Sequence, residues 1–190
     1  LPCHAVGDRQ RPSNYTALDD PLKVFGPDTF FCFFGFNESF ASVKGEEQFR
    51  TAYGNYLDEM AQQYPRANGR PPRFVLISPT AWEPTGNPLW PDASKRNNDL
   101  RRYTAIVKQV AQDRGLAFVD LFDLTEPVFT EQEGMQYTIN GCHLNEAGDR
   151  EVAVLLDRAI FGETLSEKEL EDLVQYLYEN TPAGQGKSGG

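Results

Sequence analysis

The 190 residues suffice for one α/β domain burying roughly 70% of its unfolded surface, and are few for two. Hydrophobic residues make up 39% and charged residues 24%, a globular balance that argues against disordered and fibrous designs. A formal net charge of −10 leaves no basic surface to displace phosphate counterions, which sets nucleic acid aside, and the longest apolar run, Phe30 to Phe34, is of strand length and far too short for a membrane span.

The first residues, Leu1-Pro2-Cys3-His4, lack a basic n-region and an apolar h-region, so the expectation is a chain that starts mid-protein. The three cysteines, Cys3, Cys32 and Cys142, are odd in number and have no CxxC spacing, which argues against a disulfide framework or a zinc knuckle. They leave the compartment open, secreted and periplasmic locations included. Residues 1 to 28 read as loop and turn material with a brief helix within Ala17 to Val24.

Thr29 to Phe34 is apolar on both faces, as expected of a central parallel strand covered by helices on each side. From Glu46 to Tyr64, Phe49, Ala52, Tyr53, Tyr56, Leu57, Met60, Ala61 and Tyr64 recur at three and four and predict the first crossover helix. Phe74 to Ser78 predicts a second buried strand, stopped by Pro79. The stretch 79–97, rich in proline and holding both tryptophans, reads as a long loop of the kind that lines a site. Helical spacing returns at Asn98 and runs to Gly115, a residue suited to a left-handed cap, and Ala117 to Leu121 predicts a third strand. Leu144 to Ile160 predicts a further helix, and Ser166-Glu167-Lys168-Glu169 a capping box opening the last one. The expected organisation is an α/β domain over 1–163, a C-terminal helix over 164–180 and a flexible tail over 181–190.

Two segments carry the chemistry. Phe34-Gly35-Phe36-Asn37-Glu38-Ser39 closes the first strand and sets a glycine and an amide at its C-terminal tip, where open α/β sheets bind ligands. Asn140-Gly141-Cys142-His143-Leu144 holds one of the two histidines where a turn delivers the imidazole toward a helix. Gly35-Phe36-Asn37-Glu38 resembles the G-x-N-D block of the SGNH, or GDSL-type, serine hydrolases, with Glu38 in the place of Asp. Asn140-Gly141-Cys142-His143 resembles their D-x-x-H block, with Asn140 in the place of Asp. The similarity covers about Ala17 to Phe161.

The resemblance implies a three-layer α/β/α flavodoxin-like parallel sheet and acyl transfer without metal or organic cofactor. It implies His143 as base, Asn140 as its orienting partner, and Asn37 with Gly7 as the oxyanion hole. The substrate would be a small-molecule or carbohydrate ester. The family's Gly-Asp-Ser nucleophile block is absent, since Gly7-Asp8-Arg9 lacks the serine and follows no strand. The nucleophile is therefore expected upstream of Leu1, the sheet is expected to lack its first strand, and these residues alone are expected to be inactive. An amide at 140 can orient an imidazole but supplies no charge, and in the serine-protease template the Asp-to-Asn swap costs about 10⁴ in kcat.

Other readings stand beside these. Asn37 could be a turn residue in a left-handed conformation, and His143 a structural histidine at a helix start. Asp120 and Glu83 are possible substitute acids, or a strand-end turn and a solvated loop residue. Ser39 is expected to cap a turn, and Cys142 to pack as a small hydrophobe, because sequence neighbours project apart. Trp82 and Trp90 could stack on a sugar or anchor their loop. A catalytically inactive module that keeps the fold for binding is the alternative function.

Overall fold

Three stretches rich in aromatic and branched residues pair side by side: β1 (Thr29–Phe33), β2 (Arg73–Ile77) and β3 (Ala117–Val119). A computed structural model describes Val6, residues 21–131 and 134–162, and Lys168, Asp172 and Gln175. The strands are parallel in the order β1-β2-β3, with Cys32 opposite Leu76 and Leu76 opposite Phe118. Parallel neighbours need crossovers, which α2 (Glu46–Gln63) and α3 (Ala93–Arg114) provide. Ahead of β1 lies the short α1 (Pro21–Phe25), and α4 (Leu121–Glu131) and α5 (Glu146–Phe161) follow β3. This is the expected α/β class.

The chain divides into a unit of Leu1–Asp149, which holds the sheet, and one of Arg150–Gly190, which holds most of α5. The predicted capping box and last helix, the tail, Cys3, His4 and Gly7 lie outside the described residues apart from Lys168, Asp172 and Gln175.

Alternation along the strands sends Cys32, Phe74 and Leu76 to one face of the sheet, where Phe49, Tyr53 and Leu57 of α2 and Tyr103, Val107 and Val110 of α3 close over them. Burying each such side chain contributes about 1.5–3 kcal/mol. Two fully buried tyrosines satisfy their hydroxyls: Tyr53 donates to the Cys32 carbonyl at 3.2 Å, and Tyr103 to the Ser42 carbonyl at 2.8 Å. Burial also pushes the Cys32 thiol up to about 12.

Several boundaries differ from the sequence reading. Among the described residues β1 is an edge strand, not a central one, and Phe31 and Phe33 on its second face remain 46% and 52% exposed. Helix α3 starts at Ala93, before the expected Asn98, because the Asp92 side chain accepts the Lys95 N–H at 2.8 Å and caps it. Gly115 ends it in the left-handed conformation expected there (φ 62°, ψ 34°). Helix α4 was not foreseen. Pro127 inside it masks a pattern in which Leu121, Phe122, Thr125 and Phe129 are buried, and Asp120 accepts the Asp123 N–H at its start.

Candidate active site

Strand β1 ends at a tight turn that only glycine makes easily. Gly35 sits at φ 110°, and a Cβ there would press on Pro79 at 3.2 Å and Phe49 at 3.3 Å. Asn37 follows with right-handed angles (φ −67°, ψ −42°), so the left-handed residue of this turn is Gly35 and not Asn37. Glu38 fastens the turn: one carboxylate oxygen accepts the Gly35 N–H at 3.0 Å, the other the Val6 N–H at 2.6 Å. Glu38 thus ties Val6 to the Asn37 turn.

Ser39 is completely buried, donates to the Phe36 carbonyl at 2.6 Å and accepts from Arg96 at 2.6 Å, which gives it the expected turn-capping part. Arg96, unremarked in the sequence, is buried with its guanidinium 3.8 Å from the centre of the Phe40 ring. Desolvation holds its pKa below the usual arginine value. Downstream, Ser42 adopts φ 50° and ψ −146°, a region costly for a residue with a side chain, and kinks the 3-10 segment Glu38–Gly45. Its hydroxyl donates to Asp99 at 2.7 Å, which together with Tyr103 holds the kink.

The histidine segment is a narrow loop closed by an antiparallel bridge between Thr138 and Leu144. Its legs are joined by Ile139 N–H to the His143 carbonyl (2.7 Å) and Asn145 N–H to the Tyr137 carbonyl (2.9 Å). Asn145 then caps α5, its side chain accepting the Gly148 N–H at 2.9 Å. The helix accordingly begins at Glu146 and not at Leu144, and His143 projects from the loop before it.

At the tip, Asn140 Oδ1 lies 3.0 Å from His143 Nδ1 and also accepts the backbone N–H of His143 at 3.0 Å and of Cys142 at 3.4 Å. Two backbone donors on one oxygen fix which end of the amide faces the ring. An oxygen there accepts the proton of a neutral ring at Nδ1, which puts the ring's basic lone pair on Nε2. Cys142 Sγ stands 3.2 Å from His143 Nδ1 and 3.3 Å from Asn140 Oδ1, so the two neighbours do not project apart as expected. The chain turns between them and Asn140 at Gly141, whose φ is 91°.

Trp82 joins the two segments. It is buried at 4% exposure, its ring stacks on Phe36 at 6.1 Å, and its indole edge fills the space beside Gly141. Trp82 is therefore a loop anchor, whereas Trp90 is 42% exposed. Asn97 pins the Trp82 backbone, accepting its N–H at 2.7 Å and donating to its carbonyl at 3.1 Å. Neither candidate substitute acid hydrogen-bonds the imidazole. Asp120 caps α4, and burial raises its pKa, while Glu83, far from being a solvated loop residue, is 2% exposed and bonds backbone. Among the described residues no group of three or more His, Cys, Asp or Glu could hold a metal ion, and no helix is long and apolar enough to cross a membrane.

A three-stranded parallel sheet with helical crossovers, an amide turn at the tip of β1 and a histidine in a late loop define an α/β fold of the flavodoxin-like kind. The family model of the GDSL-like lipase/acylhydrolases matches residues 6–151, and the chain belongs to that family. Among solved structures it is similar to a catalytic mutant of Axe2, an acetylxylan esterase from Geobacillus stearothermophilus, at 16% identity and TM-score 0.54, covering 76% of this chain and 64% of that one. It is also similar to the acetyl xylan esterase AlAXEase (20%, TM-score 0.52, 73% and 69%). A third similar structure is LAE5, an α/β hydrolase from the metagenome of Lake Arreo, Spain (19%, TM-score 0.53, 73% and 63%). The chain thus spans 64% of the length of the Axe2 structure, and at these identities the likeness shows the fold. No curated protein matches.

Proposed function

We propose that these residues carry the base and oxyanion side of an ester hydrolase whose nucleophilic serine lies outside the 190 residues. In this reading Nε2 of His143 takes the serine proton as the serine oxygen bonds to the ester carbonyl carbon. The same imidazolium then protonates the departing alcohol, and water repeats the cycle on the acyl-enzyme. Asn37, with Gly7, donates to the oxyanion, a contribution of about 2.7–4 kcal/mol per donor in well-studied cases.

The observation that carries the reading is the 3.0 Å contact of Asn140 Oδ1 with His143 Nδ1, on an amide whose orientation two backbone N–H groups fix. The penalty of the Asp-to-Asn swap in the serine-protease template comes from the wrong tautomer. Here the amide oxygen, not its NH₂, meets the ring, so Asn140 supplies the orientation and lacks only the charge. That geometry favours the catalytic reading over a binding module, for which an oriented base has no use. A carbohydrate ester is the substrate class proposed, supported by the likeness to two acetylxylan esterases.

The test compares two chains on p-nitrophenyl acetate and acetylated xylo-oligosaccharides. The 190 residues alone are expected to give no turnover above buffer. A chain extended in the same reading frame to include a strand and Gly-Asp-Ser is expected to hydrolyse the ester, and His143→Ala and Asn37→Ala to lower its kcat at least about 100-fold. Hydrolysis that His143→Ala leaves unchanged refutes the assignment.

A further inference from the structure

Glu83 is a carboxylate almost wholly removed from water, and among the described residues no Lys, Arg or His lies within ion-pair distance of it. A buried charge of this kind persists only when hydrogen bonds replace its hydration. All of the bonds it makes run to one segment. Oε1 accepts the Tyr137 N–H at 2.7 Å, Oε2 accepts the Thr138 N–H at 2.7 Å, and Oε2 also takes the Thr138 hydroxyl.

The bonding continues to the tip of the histidine loop. Thr138 Oγ1 accepts the Gly141 N–H at 2.9 Å, and the Glu83 N–H donates to the Gly141 carbonyl at 2.9 Å. Gly141 is therefore held on both sides, once through the Glu83 backbone and once through the carboxylate and Thr138. The Asn140 amide precedes it and the imidazole follows two residues later. Glu83 itself is held in place because Trp82, the residue before it, is pinned to α3 by Asn97.

We propose that Glu83 is the positioning residue of the histidine loop: its carboxylate acts as a template for the backbone of 137–141, and through that backbone it sets the Asn140–His143 contact. It is not the acid of a triad, because its oxygens are committed to Tyr137 and Thr138. The loop legs are joined by one bridge and two backbone hydrogen bonds, and a carboxylate taking three donors from two adjacent residues adds a fixed point at the base of the turn. Glu83 acts on loop geometry, and its bearing on catalysis rests on the proposed hydrolase function.

The experiment uses the whole chain labelled with ¹⁵N, with the His143 ring signals identified by loss in His143→Gln. The wild type is expected to show His143 as a single tautomer protonated at Nδ1. In Glu83→Gln, where an NH₂ replaces one acceptor, and in Thr138→Val, where the relay to Gly141 is cut, the signals are expected to move to a two-tautomer average. The Tyr137 and Thr138 amides in Glu83→Gln should exchange with solvent at least about tenfold faster, while amides of Leu76 and Val107 keep their protection. A single Nδ1–H tautomer in both variants with unchanged exchange at 137 and 138 overturns the proposal. So does loss of the entire fold in both, which would make the carboxylate a general folding element. In an extended chain that hydrolyses esters, Glu83→Gln is expected to lower kcat and leave KM in place. Absence of turnover in that chain's wild type counts against the hydrolase reading alone, since the tautomer result stands without it.

Discussion

Replacing Gly141 by alanine tests whether the histidine loop is packed against Trp82. Its φ of 91° lies in the region that side chains avoid, and a Cβ would overlap Trp82 Nε1 and stand 2.5 Å from Cε2 and 2.9 Å from Cζ2. Trp82 is buried, stacked on Phe36 and pinned through its backbone to Asn97, so it cannot swing away freely. Backbone strain at positive φ costs about 1–2 kcal/mol and forced overpacking about 1–3 kcal/mol, which together give about 2–5 kcal/mol. The control is Gly69→Ala: φ is 75° there, but nothing lies within 4 Å of the added atom, so only the strain applies. Urea unfolding followed by tryptophan fluorescence measures both, and Gly141→Ala is expected to lose about 1–3 kcal/mol more than Gly69→Ala at unchanged m. Equal losses within about 0.5 kcal/mol would show that Gly141 and Trp82 are not in contact and that Trp82 does not join the Asn37 and His143 segments.

Three further outcomes follow from the same geometry. Asn140→Ala removes the oxygen that faces Nδ1 and is expected to leave the His143 ring as a mixture of two tautomers, whereas Asn140→Asp is expected to keep the Nδ1–H form; ¹⁵N NMR reads both. Cys32, buried and with its thiol pushed up to about 12, is expected to resist iodoacetamide at pH 8 while half-buried Cys142 is alkylated, as peptide mass spectrometry would report. Asp58 receives bonds from Arg114 at 2.6 and 3.0 Å, and these hydrogen bonds hold its pKa below the usual value. Its contribution is therefore present above about pH 4 and fades as pH falls below that. Asp58→Asn should cost a few tenths of a kcal/mol at pH 7, since the carboxylate is largely exposed, and nothing near pH 2; an equal cost at both would contradict the pairing.

Local periodicity and punctuation carried much of the fold. The stripe of Phe49, Tyr53 and Leu57 and the run Phe74 to Ile77 become α2 and β2 within a residue or two of their expected ends. Their spacing is itself the cause of their burial, so it can be read without coordinates. The pairing of Asn140 with His143 was implied by the resemblance of 140–143 to a D-x-x-H block, and the contact itself comes from an Asx turn in which Asn140 accepts the Cys142 N–H.

What the sequence could not disclose depends on partners distant along the chain. Glu83 reads as a loop acid until Tyr137 and Thr138, 54 and 55 residues later, turn their N–H groups onto it. Trp82 reads equally as a sugar platform or an anchor until its ring is found between Phe36 and Gly141. Arg96 carries no motif, and its place is defined by Ser39, Phe40 and Asp99. Pairing in one segment fixes which residues can form a strand, a helix or an Asx turn. Which buried polar group has a partner is settled only when separate crossovers of the sheet bring their loops to the same end, because desolvation penalises every donor and acceptor left alone and the chain closes where they match.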